Sequence, residues 1–173
     1  MHSALALTFT LFLLGIVLAQ LNHALSGWGI YVWLGGLFVT HAALAPDTRG
    51  GRTAAFLGGL FLDCTAPVAF GTHALLFAAA YTFVFRLRDR VSRDENTARI
   101  VLALVTNLAL FLVFSFLQSR QLPTSATFWS RVAVDLLCSQ VVLVLITPWF
   151  CALQARTLDL ADTFAAAYER RFN

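Results

Sequence analysis

Position 63 places an aspartate inside the apolar stretch GGLFLDCTAPVAFGTHALL, with Leu60, Phe61 and Leu62 before it and Pro67 and Gly71 soon after. A charged side chain at mid-membrane costs about 2.5 to 3.5 kcal/mol on insertion scales, so it normally faces protein or water and has a task there. Three tasks fit this carboxylate. It can accept hydrogen bonds from backbone N–H groups freed where Pro67 and Gly71 interrupt the helix, because irregular backbone at that depth must be covered by protein. It can relay a proton or an ion. It can meet a polar group on a partner.

The other polar residues offer less chemistry. Arg131 and Asp135 stand four apart, where an ion pair along one helix is possible. Asn107 is the lone strongly polar residue within its apolar run and suits an interhelical hydrogen bond. His2, His23, His41 and His73 are dispersed over different segments and lack metal-ligand spacing. Cys64, Cys138 and Cys151 form an odd, scattered set without a CxxC pair, which reads as small apolar fillers. Neither a nucleophile–base pair nor a glycine-rich phosphate loop nor paired carboxylates can be read. The chain reads as a non-enzyme without a cofactor.

Spacing around Asp63 suggests packing. Ala55, Gly59 and Asp63 fall at i, i+4 and i+8, on one stripe of a helix, and Ala54 and Gly58 make a second small pair beside it. Small residues four apart let helices approach closely in lipid, where packing drives association. The stripe serves either the protein's own helices or a partner's helix.

The elements that must position these residues follow from composition. Of 173 residues 59% are hydrophobic and 12% charged, against about 25% charged in a soluble domain, and the mean hydropathy is +0.76. A single all-α polytopic membrane domain is expected, with about six transmembrane segments near 4–21, 28–44, 53–63, 71–85, 99–118 and 132–153. The first has no basic residue ahead of its apolar run, so it reads as a retained span rather than a cleaved signal. Trp28, Tyr31 and Trp33 would open the second as an interfacial aromatic belt. Pro46 with Gly50 and Gly51 would break the chain before the third, which at eleven residues spans only roughly 16 Å. An irregular connection is expected at 64–70, and a kink at Pro148 near the end of the last span.

All twelve basic residues are arginine, and the net charge is +3. In a membrane protein this records the positive-inside rule rather than nucleic-acid binding. With six crossings and an inner N-terminus, ten arginines fall inside and only Arg120 and Arg131 outside. Both termini are then cytoplasmic.

The stretch AAFLGGLFLDCTAPVAFGTHALLFAAAYTFVFRLRDR resembles the core of the MreD family of bacterial rod-shape-determining membrane proteins. Gly59, Leu62, Asp63, Gly71, Ala74 and Leu75 stand at matching places, with Phe70 where leucine is usual. FWSRVAVDLLCSQVVLVLITPWF, entered by Phe128, Trp129 and Ser130, looks like that family's last span. The resemblance implies a non-enzymatic inner-membrane component of the cell-elongation machinery that builds the side wall. Its partners would be an MreC-like protein and, through it, RodA, a class B penicillin-binding transpeptidase and MreB filaments, with lipid around it. Ala55, Gly59, Asp63, Pro67, Gly71 and Trp129 are its structural or partner-contact candidates. The family resembles in fold the substrate-binding components of energy-coupling-factor transporters, which supply the alternative function. Their AxxxA docking motif is missing from the first helix, where Ala4 is followed at i+4 by Thr8 and Ala6 by Thr10.

The arginine split generates a topology test. Single cysteines at Asn96 and Asn173, in a background lacking the three native ones, should resist an impermeant thiol reagent in intact cells. Labelling of either from outside rejects the six-crossing arrangement.

Overall fold

In the computed structural model a ten-residue helix, α2 (Gly35–Leu44), is buried from Gly35 to Ala43. A helix that is apolar on every side belongs inside others, and three pack around it: α3 (Thr48–Thr65), α4 (Thr72–Leu87) and α5 (Asn96–Ser119). Helix α1 (His2–Leu25) packs on α3, and α6 (Ala126–Phe172) closes the bundle against α5 and α1. The structure describes residues 2–45, 48–65, 69–88, 96–119 and 126–172, and no strand occurs among them. Leu7–Trp28, Thr97–Ser119 and Ala126–Thr157 are each long and apolar enough to cross a membrane. This is a helical protein of membrane type.

The second segment departs from expectation. Residues 28–44 are not one helix; α1 ends in a single 3-10 turn at Ser26–Trp28, and 30–34 have no regular structure. Exposure falls along this stretch from 80% at Trp28 through 48% at Tyr31 to 1% at Val32 and nil at Leu34. The chain therefore dives from the surface into the core.

Unwound backbone inside protein needs partners for every N–H and C=O. Side chains of three helices supply them. Asn22 of α1 grips Val32 as a strand would, its Oδ1 accepting from Val32 N and its Nδ2 donating to Val32 O, both at 2.8 Å. Asn107 of α5 accepts from Gly36 N at 2.9 Å and donates to Trp33 O at 3.2 Å. From α6, Asp135 Oδ1 accepts from Tyr31 N and Ser139 Oγ from Trp33 N, each at 2.9 Å, while Arg131 Nη2 donates to Gly29 O at 3.3 Å. Arg131 and Asp135 thus serve the loop separately rather than pairing along the helix.

Trp33 is likewise no belt residue. Its indole is buried, edge-on to Phe77, Phe111 and Phe114 at centroid distances of 6.2, 6.2 and 5.4 Å, the T-shaped geometry that aromatic quadrupoles favour. Trp28 and Tyr31 stay at the surface.

Other boundaries shift as well. Helix α3 begins at Thr48 and has 18 residues, not eleven, because Gly50 and Gly51 continue the helix. Gly51 lies so near the end of α2 that a Cβ would sit 2.2 Å from Ala42 O. Helix α6 continues past 153 to Phe172, with Pro148 inside it. Of the 64–70 connection, α3 takes 64 and 65, a turn takes 69–71, and 66–68 lie outside the described residues.

Asn107→Leu keeps side-chain volume while abandoning Gly36 N and Trp33 O. Each buried group left unpaired costs about 1 to 3 kcal/mol, so unfolding in detergent should show a loss of several kcal/mol. A loss under about 1 kcal/mol would mean that Asn107 does not brace the segment.

Candidate functional site

Asp63 lies in the last turn of α3, beside the start of α4. The first N–H groups of any helix lack partners within it, and α4 carries no side-chain cap of its own. Asp63 fills that role from another helix. Its Oδ2 accepts from Gly71 N at 3.0 Å and Ala74 N at 3.2 Å; its Oδ1 accepts from His73 N at 2.9 Å and His73 Nδ1 at 2.8 Å. Thr72 N donates to Ala69 O and Leu75 N to Gly71 O, which completes the first turn. The negative carboxylate also meets the positive end of the α4 dipole.

A carboxylate offers about four lone-pair sites, and all four are occupied here by donors of α4 and its preceding turn. Asp63 is 5% exposed. Three of the four donors are backbone N–H groups, and at this burial a partner could not reach the group. The turn-capping task is the one this geometry performs.

Gly71 has φ +95° and ψ −10°, a left-handed conformation that glycine adopts without the Cβ penalty. That turn aims three N–H groups at one carboxylate. His73 adds a fourth bond and stacks on Phe114 of α5, centroid distance 4.2 Å, with its edge toward Phe77. Because Oδ1 only accepts when ionised, Nδ1 carries the proton in this pair. The histidine joins the cap to the aromatic cluster around Trp33.

The stripe behind Asp63 is filled by the same helix pair. Ala55 is fully buried, and a Cβ at Gly59 would stand 2.5 Å from Ala74 Cα and 2.7 Å from Ala74 N. Backbone cannot yield as a flexible side chain can, so glycine is required for this approach. Gly58 faces Phe38 of α2. The stripe therefore packs against the protein's own helices and is not open to a partner. Pro67 lies outside the described residues. Trp129 stands apart at the start of α6, 47% exposed and edge-on to Phe128.

No family model, curated protein or solved structure matches the chain. The sites therefore rest on their own geometry.

Several residues that matter here give little sequence signal. Asn22 reads as part of a polar end to α1, and His73 as one dispersed histidine. Asp135 and Ser139 do leave a trace, since they stand four apart on one face of an apolar helix and Ser139 Oγ also donates to Asp135 O at 2.6 Å. Dispersal does not mean isolation for His41 either, whose Nε2 lies 3.5 Å from Cys151 Sγ on α6. Cys64 is exposed rather than a filler.

Substitutions should separate these roles. Asp63→Leu abandons three backbone donors at about 1 to 3 kcal/mol each and should sharply reduce folded protein in the membrane. Asp63→Asn keeps the shape and one acceptor, so its loss should be smaller. Gly59→Leu should lower abundance as Asp63→Leu does, because the clash is with backbone of the same chain. Normal abundance of Gly59→Leu in a membrane fraction would contradict the packing described.

Proposed function

We propose that this protein is a multi-pass scaffold of the bacterial cytoplasmic membrane that acts in cell elongation and rod-shape determination, as the MreD family does. In this reading six segments cross, with 29–44, α3 and α4 serving as the short ones and both termini inside. The inner ends of α2, α5 and α6 meet around His41, Arg99 and Cys151. The outer ends meet where Arg131 and Asp135 hold Gly29 and Tyr31. That alternation supports the arginine assignment.

The observation that carries the reading is the unity of the motif. Gly59, Asp63, Gly71 and Ala74, four of the six positions that bear the resemblance, converge in one joint, with Gly59 against Ala74 and Asp63 bonded to Gly71 and Ala74. The motif is thus a fold signature: it fixes the α3–α4 hairpin. Since the small-residue stripe is consumed by that hairpin, the single membrane helix of an MreC-like protein would lie against an outward apolar face. RodA, the class B transpeptidase and MreB filaments would be reached through it.

Affinity capture of the tagged chain should recover the MreC-like protein of the same cell, and depletion should turn rods into spheres. Capture without that protein, together with stabilisation by riboflavin, biotin or thiamine, would favour the transporter component instead. A vitamin at 100 times its dissociation constant adds about 2.7 kcal/mol, a readily measured shift.

A further inference from the structure

At the end of the bundle opposite Asp63, the C-terminal turn of α2, the first turn of α5 and residues 151–155 of α6 enclose a cavity of about 240 Å³. His41, Arg99, Cys151 and Gln154 form its polar lining, with Leu44 and Ala45 on the apolar side. A smaller void adjoins it, sharing His41, Leu44, Arg99 and Cys151 and reaching Thr40. Thr40 is 2% exposed, and its Oγ1 has no hydrogen-bond partner among the described residues. A buried hydroxyl in that state is uncommon enough to require a reason.

We propose that this cavity binds a phosphate group, with the headgroup of an anionic phospholipid as its source. An arginine fork matches phosphate geometry and stays charged. Gln154 adds a neutral donor to the cavity, and Thr40 lies in the adjoining void. Basic pockets between membrane helices at the cytoplasmic end take anionic headgroups, and Arg49, Arg52 and Arg156 are exposed around this end. The volume falls below the roughly 300 to 1,000 Å³ of sites for drug-sized ligands, which suits a headgroup better than a vitamin. The apolar side at Leu44 and Ala45 leaves room for the start of an acyl chain. The proposal rests on the membrane reading and not on the scaffold role.

The test uses the full chain, delipidated in detergent, with native mass spectrometry of retained phosphatidylglycerol against phosphatidylcholine. Wild type should prefer phosphatidylglycerol about tenfold, and Arg99→Gln should abolish that preference, as expected for loss of charge-assisted bonds. Arg131→Gln, at the opposite end, should leave it unchanged. Displacement of phosphatidylglycerol by millimolar inorganic phosphate would identify the free ion as an equal source, and failure to displace would identify the lipid. Should Arg99→Gln not survive purification, Gln154→Leu takes its place, with a several-fold loss expected and unchanged retention counting against the site. Equal retention of both lipids by wild type, or equal losses in the two arginine variants, overturns the proposal.

Discussion

Backbone polar groups out of reach of water must find partners, and in this fold that constraint bears hardest on residues 29–36. A helix would have met it internally. Here the chain unwinds instead, and Asn22, Asn107, Asp135 and Ser139 provide what the missing helical turns would have provided. The helices that carry these side chains are therefore fixed relative to one another by a common object. Removing that object would leave α1, α5 and α6 with apolar packing and the bond from Gln140 Nε2 to Leu104 O, and apolar packing in lipid has no hydrophobic drive behind it.

The Asp63 cap solves the same problem at the α3–α4 turn with one residue. The two solutions meet physically. His73, bonded to Asp63, stacks on Phe114, and Phe114 packs against Trp33 of the unwound segment. Polar satisfaction and aromatic packing thus form a continuous band from α3 to α5. Close approach makes the band possible. At Gly36 a Cβ would sit 2.2 Å from Asn107 N, so the small residue lets the braced backbone reach its brace.

Legibility in the sequence followed distance along the chain. Asp63 stood out because a charge in an apolar run has few explanations, and its donors lie only eight to eleven residues away. The Ala55–Gly59–Asp63 stripe was visible through helical spacing, though spacing alone could not say whose helix would fill it. Asn107 was visible by contrast with its neighbours. The unwinding at 29–34 was not, because Trp28, Tyr31 and Trp33 suit an interface and a core equally. What separates those fates is Asn107, Asp135 and Ser139, which lie 71 to 106 residues from their partners. Gly50 and Gly51 misled for a related reason, since a glycine that permits close packing looks the same as one that breaks a helix. The His41, Arg99 and Gln154 cavity has no spacing signature, as three helices each contribute to it.

The separation between the unwound segment and its partners has a consequence for biogenesis. At roughly 5 to 20 residues per second, a ribosome needs about 5 to 20 s after making Tyr31 to reach Asp135. Only Asn22 is already present when Val32 emerges. Tyr31 N, Trp33 N and Gly36 N therefore wait for their acceptors until α5 and α6 arrive. Final closure of the bundle belongs to the end of synthesis, and a chain that stops before Ser139 lacks the hydroxyl that accepts from Trp33 N.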